Sequence, residues 1–261
     1  MAFLQVNFFS EVLEMASTLN VILPERTHRQ IGLQGRASDG PHPTLYLLHG
    51  LSDDHTIWCR RTSIERYVAP LGLAVVMPNV HRSFYTDMHS GGRYWTYVSE
   101  EVPEVARSFF RLSAAREDNF VAGLSMGGYG AFKLALRQPE KWGAAASLSG
   151  ALDLANRPCE ERIHDDFVRI FGTHKRLVDS PDNLLRLIDE AEMTGRVLPR
   201  LWACCGRDDF LLPDNRRFIA HAHKCGVPVE YVENEGAHDW GYWDTHIQTA
   251  LKWMLASGAE A

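Results

Sequence analysis

The chain has 261 residues, a formal net charge of −6 and a hydrophobic fraction of 45%, which predicts one globular domain over 1–261. Charged residues make up 23% and aromatic residues 10%, and these proportions exclude an intrinsically disordered chain. Acidic residues outnumber basic ones by 33 to 27, and no apolar run approaches the roughly 20 residues of a membrane span, so we expect no nucleic-acid or membrane partner.

Strands and helices are predicted to alternate along the chain. The apolar segments 3–9 and 18–23 predict two early strands that could pair as a hairpin. Continuous apolar runs predict buried strands at 44–48, 73–77, 119–122, 144–148, 198–205 and 227–232. Helical spacing predicts helices at 99–112, 127–136, 183–191, 215–225 and 245–255. This alternation predicts an α/β fold with a mostly parallel central sheet and helices on both faces.

One segment, 151–195, is rich in charge and has no clear strand. It fits either a small cap insertion over an active site or an ordinary helical crossover within the single domain. The sequence leaves both alternatives open.

Residues 123–127 read Gly-Leu-Ser-Met-Gly and match the pattern G-x-S-x-G. An apolar run precedes the match and a helical pattern follows it, as in the strand–turn–helix setting of a nucleophile elbow. The flanking glycines allow strand and helix to approach closely around a strained serine. We therefore predict that Ser125 is a catalytic nucleophile.

A serine nucleophile needs a base and an acid, which in this kind of fold follow it in the order Asp or Glu, then His. His238 lies in the predicted loop between the last strand and the last helix, where the base belongs. The other late histidines, His221, His223 and His246, fall within helical patterns. Asp208 and Asp209 both follow the strand at 198–205, and their spacing alone does not separate them as candidates for the acid.

An oxyanion hole needs two backbone N–H groups. We predict that one donor is the N–H of Met126, the residue after the nucleophile. The other is predicted to be the N–H of Leu51, in the loop after the strand at 44–48. Chemistry of this kind requires no cofactor, and the spacing of His49, His55 and Cys59 matches no common zinc pattern, so we expect no metal.

The segment 82–97 is dense in aromatic residues. It fits either an aromatic cluster packed beneath a long loop or one wall of a substrate pocket. Under the second interpretation, Trp58, Tyr85 and Trp240 share that wall and contact substrate.

The five cysteines, Cys59, Cys159, Cys204, Cys205 and Cys225, show no C-x-x-C spacing, which is typical of a reducing compartment. The first residues lack the basic region of a signal peptide. We therefore expect a cytoplasmic protein, and the sequence does not decide whether any cysteine is redox-active.

Several longer segments then indicate a family: LLHGLSDDHTIWCRRTSIERY, VVMPNV with a later YTD, AGLSMGGYGAFKLAL, SLSGALD, CCGRDDFLLPDN and GAHDWGYWD. Over about 4–255 the chain resembles the esterase D-like α/β-hydrolases, especially the tributyrin esterase branch of short-chain carboxylesterases. The resemblance implies an α/β-hydrolase fold and assigns the acid to Asp209, the base to His238 and the oxyanion donors to Leu51 and Met126.

The resemblance also implies a reaction, which is hydrolysis of small acetate- or butyrate-type esters through a Ser-His-Asp triad and an acyl-enzyme. Related esterases often associate, so a homo-oligomer is an open alternative to a monomer. S-formylglutathione hydrolases share the triad, but their usual Tyr-Asp-His is replaced here by Gly236-Ala237-His238. A non-catalytic α/β-hydrolase that binds an acyl ligand is the other alternative, although such proteins usually lose a member of the triad.

Overall fold

A computed structural model describes residues 1–157 and 164–256, so Cys159 lies outside the described residues. The described chain forms one eight-stranded sheet in the order β1-β2-β4-β3-β5-β6-β7-β8. The strands are β1 (Ala2–Ser10), β2 (Met15–Leu23), β3 (Thr44–Leu48), β4 (Ala74–Pro78), β5 (Asn119–Leu124), β6 (Ala144–Leu148), β7 (Arg200–Gly206) and β8 (Glu230–Asn234). Strands β1 and β2 form an antiparallel hairpin, β2 pairs antiparallel with β4, and every pair from β4 to β8 is parallel.

Helices connect the parallel strands. They are α1 (Ile57–Arg61), α2 (Ile64–Val68), α3 (Tyr94–Thr96), α4 (Val102–Phe109), α5 (Met126–Arg137), α6 (His164–Phe171), α7 (His174–Val178), α8 (Leu184–Thr194), α9 (Leu212–Lys224) and α10 (Trp240–Leu255). A π-helical turn, Tyr97–Glu101, joins α3 to α4, and single 3₁₀ turns occupy Ala69–Leu71, Arg116–Asp118 and Pro139–Lys141. No helix among the described residues is long and apolar enough to span a bilayer.

The sheet is covered on both faces because its central strands place apolar side chains on both sides. Along β3, Tyr46 and Leu48 join one core and Leu45 and Leu47 join the other. Helices α4, α5, α8 and α9 contribute to the first core, and α1, α2 and α10 contribute to the second. The predicted α/β-hydrolase fold, with a mostly parallel sheet between two helical layers, is confirmed.

The described part of the segment 151–195 is helical. Helix α8 packs against α5 and α9 in the helical layer over the sheet. Helix α6 instead lies beside the segment 82–97, where the backbone N–H of Ser90 donates to the carbonyl of Arg169 at 2.8 Å. An ion pair between Arg82 and Asp166, 2.6 Å, joins the same two segments. The two ends of 151–195 therefore have different surroundings.

Candidate active site

Ser125 sits at a sharp turn between β5 and α5. Its backbone has φ 54° and ψ −116°, a combination that residues with a side chain rarely adopt. The Ser125 N–H donates to the carbonyl of Leu148 at 2.9 Å, and the Ser125 carbonyl accepts from the N–H groups of Tyr129 and Ala151, both at 3.1 Å. These three hydrogen bonds hold the serine in the strained conformation that points its hydroxyl away from the sheet.

The two glycines of the motif are required by close backbone approach. A Cβ on Gly123 would lie 2.4 Å from the carbonyl carbon of Gly127. A Cβ on Gly127 would lie 2.4 Å from the carbonyl oxygen of Leu48 at the end of β3. Strand, turn and helix therefore pack at distances that no side chain at either position permits.

A line of hydrogen bonds runs from Ser125 through His238 to Asp209. His238 lies in the loop between β8 and α10, and its Nε2 is 3.1 Å from Ser125 Oγ. Its Nδ1 lies 3.0 and 2.9 Å from the two carboxylate oxygens of Asp209. This arrangement suits an imidazole whose Nδ1–H donates to the carboxylate and whose Nε2 accepts from the serine hydroxyl.

Asp209 and Asp208 differ in position although they are adjacent. Asp209 is 4% exposed and also accepts from the N–H of Leu211 at 2.8 Å, whereas Asp208 is exposed. Burial alone would raise the pKa of Asp209, but the hydrogen bond and charge of His238 and the N–H of Leu211 outweigh it and lower that pKa. Asp209 is therefore a carboxylate at neutral pH.

Leu51 and Met126 both line the cavity that contains Ser125. Met126 is the first residue of α5, where an N–H has no acceptor within the helix. Within residues 1–157 and 164–256, neither N–H donates to a protein acceptor. Both are thus available to an oxygen atom of a bound molecule.

His49 supports the loop that carries Leu51, a role that the sequence analysis missed. Its Nδ1–H donates to the carbonyl of Gly50 at 2.7 Å, and its Nε2 accepts from the N–H of Val80 at 3.1 Å. Burial lowers the pKa of His49 to about 4, only partly opposed by the bond to Gly50, so the ring is neutral. The signal available in the sequence was a histidine directly after a buried strand, but its partner Val80 is 31 residues away.

A cavity of about 520 Å³ opens above Ser125. Aromatic side chains form part of its lining, namely Phe84, Phe210, Trp240 and Trp243. Charged side chains form another part, namely Asp53, Arg82, Arg157 and Asp239. Of these, Trp240 was predicted individually, and Arg82 and Phe84 belong to the segment 82–97, for which a pocket wall was one of the two interpretations. The cavity therefore combines apolar walls with charged groups of both signs.

The structure separates the three residues that were predicted to contact substrate. Trp240 lines the cavity. Trp58 is 1% exposed and packs edge-on against Trp240 at 5.3 Å, so it lies behind the wall. Tyr85 is fully buried and its hydroxyl donates to the carbonyl of His49 at 2.9 Å. The prediction that Trp58 and Tyr85 line the pocket is wrong, because both rings are packed in the protein interior.

Known proteins resemble this chain over almost its full length. A family model described as "Putative esterase" matches residues 10–254. An acetyl esterase of Caldicellulosiruptor saccharolyticus is 32% identical, with 97% of this chain and 98% of the relative aligned. A structure of FphF, a fluorophosphonate-binding serine hydrolase of Staphylococcus aureus, is 38% identical with a TM-score of 0.86 and covers 97% of this chain and 98% of its own. The S-formylglutathione hydrolase FrmB of the same organism is 37% identical with a TM-score of 0.83 and the same coverage.

Proposed function

The chain belongs to the Esterase family, among the esterase D-like α/β-hydrolases, and it is a serine hydrolase of carboxylic esters; from this premise we propose that Ser125, His238 and Asp209 hydrolyse short-chain acyl esters of small alcohols. The observation that carries the proposal is the pair of contacts of His238, with Ser125 Oγ at one ring nitrogen and Asp209 at the other.

The mechanism follows from these contacts. Ser125 Oγ attacks the ester carbonyl carbon while His238 Nε2 takes the hydroxyl proton. The tetrahedral oxyanion accepts hydrogen bonds from the N–H groups of Leu51 and Met126. The alcohol then leaves with the proton from His238, and an acyl-serine remains. Water, deprotonated by His238, attacks the acyl-serine and releases the carboxylic acid, which restores Ser125.

Asp209 positions the base. Its carboxylate accepts from Nδ1–H and thereby keeps Nε2 unprotonated and directed at Ser125. The carboxylate also stabilises the imidazolium that forms in each proton transfer. The lowered pKa of Asp209 is consistent with this role, because only the charged form can stabilise the cation.

The cavity supports a small substrate with a short acyl group. Its volume of about 520 Å³ lies within the roughly 300–1,000 Å³ of small-molecule sites and is shared between acyl group and alcohol. Phe210 and Trp243 lie beside His238, with ring centroids 4.5 and 4.9 Å from the imidazole, and present apolar surface next to the reacting atoms. The acetyl esterase relative is consistent with this assignment.

A second candidate function is hydrolysis of S-formylglutathione, a thioester. The resemblance to FrmB favours it, and so do Arg82 and Arg157 in the cavity, since guanidinium groups recognise carboxylates such as those of glutathione. The Gly-Ala-His context of His238 argues against it. The same triad would serve both reactions.

The test is a set of initial rates on p-nitrophenyl esters from acetate to octanoate and on S-formylglutathione, with Ser125→Ala as the blank. We expect kcat/KM to be highest for acetate to butyrate and to fall for longer chains. A kcat/KM that is much higher for S-formylglutathione than for every ester would replace the ester proposal with the thioesterase one. Ligand binding without turnover of any substrate would favour a non-catalytic binding protein.

A further inference from the structure

A second group of reactive side chains lies outside the cavity, between α8 and α9. His221 Nε2 is 2.8 Å from Asp189 Oδ1. Cys225 Sγ is 3.7 Å from the same Asp189 oxygen and 3.8 Å from His221 Nε2. A nitrogen, a sulfur and an oxygen therefore form a small triangle on the surface, and the proposed ester hydrolysis uses none of them.

These distances are close to those of a tetrahedral zinc site. With Zn–S near 2.3 Å and Zn–N or Zn–O near 2.0 Å, neighbouring donor atoms are separated by roughly 3.3–3.6 Å. The two edges that include the sulfur are only slightly longer than this range. The nitrogen–oxygen edge is a hydrogen bond, and it needs to open by only roughly half an ångström to admit the ion.

The ligand atoms of Asp189, His221 and Cys225 all lie within 4.8 Å of one another, and a further carboxylate is close to the thiol. Glu192 also interacts with the Cys225 thiol through its carboxylate. Asp189 and Glu192 are three residues apart on α8, and residues with that spacing share one helix face. His221 and Cys225 are four residues apart at the end of α9 and likewise share a face. The end of α9 therefore contributes His221 and Cys225 to one point, and α8 contributes Asp189.

The acidic side chain of Asp189 next to the thiol and the imidazole also favours a cation at this point. A bound metal ion displaces the thiol proton, because the thiolate is the form that binds a metal. The Asp189 side chain is 50% exposed and that of His221 is 29% exposed, so an ion can reach the donors from solvent.

We propose that Asp189, His221 and Cys225 bind a single zinc ion that links α8 to α9, with Glu192 beside the thiol as the candidate fourth ligand. Thiolate and imidazole ligands select zinc, and its spectroscopic substitute cobalt, over magnesium or calcium. Helix α9 begins at Leu212, directly after the loop that holds Asp209, so the link stabilises the part of the fold that carries the proposed acid. The zinc ion would stabilise the fold, and it would take no part in the proposed ester hydrolysis.

The test is titration of the chelator-treated full chain with Co²⁺, followed by absorption spectroscopy. We expect one equivalent to bind, with thiolate-to-cobalt charge-transfer absorption and the intense visible bands of tetrahedral coordination, and Zn²⁺ to displace it. Cys225→Ser should abolish the charge-transfer absorption. Cys59→Ser is the matched control, since it removes a thiol that lies beside Met77 and outside the group, and it should retain the wild-type spectrum.

Thermal unfolding provides a second measurement that does not depend on the spectrum. Stoichiometric Zn²⁺ should raise the Tm of the wild type and of Cys59→Ser, but not of His221→Ala or Asp189→Asn. Zn²⁺ affinity should fall in these two variants by at least the roughly 10–100-fold that loss of an outer-shell partner costs. Binding without a thiolate band, or equal affinity in Cys225→Ser and wild type, would leave only a surface hydrogen bond and overturn the site.

Discussion

One polar group of residues lies just before the first residue of helix α5 and another lies in its third turn. The two groups differ in how completely their hydrogen bonds are satisfied. At the start of the helix, Ser125 bonds to His238 and faces the open cavity. In the third turn, the buried ammonium of Lys133 lies 2.6 Å from Asp182 and donates to the carbonyl of Tyr85 and the hydroxyl of Thr86, both at 2.8 Å. All three donors of Lys133 are thus used inside the protein.

Both groups contain an aspartate, but only one can do chemistry. The Lys133 ammonium has no hydrogen-bond donor left for a substrate and is buried. Its contacts fix α5 to the segment 82–97 and to the start of α8. The Ser125 group has a proton that His238 can accept and an oxygen that faces the cavity. Reactivity in this protein depends on what a polar group leaves unsatisfied, and stability depends on what it satisfies.

Removal of the Ser125 hydroxyl should have the largest effect. Ser125→Ala should lower kcat by about 10⁶-fold, by analogy with other serine hydrolase triads. The Tm should stay near that of the wild type, because the hydroxyl bonds only to His238. Ser108→Ala is the control, since its exposed hydroxyl bonds only to a backbone carbonyl in α4. Retention of substantial turnover in purified Ser125→Ala would contradict the proposed nucleophile.

Replacement of the proposed acid should have the next largest effect. Asp209→Asn should lower kcat by about 10⁴-fold, because an amide can hold His238 in the wrong tautomer. Asp208→Asn should leave kcat unchanged, since the exposed Asp208 carboxylate does not contact the imidazole. Steady-state kinetics on one short-chain ester will compare the two neighbours directly. Equal losses in both variants would refute the assignment to Asp209.

Loss of the Lys133 ammonium should affect stability and not chemistry. Lys133→Met leaves the Asp182 carboxylate without its closest cation, and breaking a buried pair in this way costs about 3–5 kcal/mol of unfolding free energy. We expect kcat per folded molecule to be unchanged. Urea unfolding will measure the free energy of unfolding. Initial rates divided by the active-site concentration, which titration provides, will measure kcat per folded molecule.

The control for this variant is Lys175→Met, in which an exposed lysine of α7 is replaced and the change should stay within about 0.5 kcal/mol. The double variant Lys133→Met/Asp182→Leu should regain only part of the loss, because it removes the unpaired carboxylate but also removes the Asp182 partner of Arg137, 3.7 Å away. A large fall in kcat of folded Lys133→Met would mean that the two groups of residues on α5 are coupled.

The smallest effect concerns the stability of the proposed triad in acid. The pKa of Asp209 is lowered in the folded protein, so its carboxylate stabilises the fold at pH values above about 3.9, its value in an unfolded chain. That contribution disappears as the pH falls through the lowered pKa. Asp209→Asn should therefore lose less stability than the wild type between pH 7 and pH 3 in urea unfolding. Parallel losses in the two proteins would contradict the pKa direction.

Much of the fold follows from local sequence pattern. The strands at 44–48 and 144–148 have their predicted bounds, because each is a continuous apolar run that packs between two helical layers. Helices α1 and α2 were not predicted, since five residues are too few to show helical periodicity. Helices α6 and α7 lie in the charged segment 151–195, where the apolar pattern is weak.

The candidate site was predictable only where chemistry depends on local spacing. The motif around Ser125 encodes a turn within five residues, so its sequence suffices. The residues alone left Asp208 and Asp209 open, because the distinction depends on which side chain points at a loop 29 residues later. Tyr85 was predicted in the pocket wall but lies in the core, because the sequence around an aromatic residue does not distinguish these two environments. The proposed zinc ligands come from two helices whose packing is not visible in the sequence.

The aromatic wall of the cavity also places intrinsic tryptophan fluorescence next to the candidate active site. Of the seven tryptophans, Trp240 and Trp243 line the cavity and Trp58 packs against Trp240. Trp243 lies edge-on to His238 at 4.9 Å and to Trp240 at 5.2 Å, so excitation energy can pass between the indoles next to the imidazole. We expect their emission to respond to the charge of that ring and to displacement of water by a ligand. The proposed acylation and deacylation could then be followed in stopped-flow fluorescence without a chromogenic substrate.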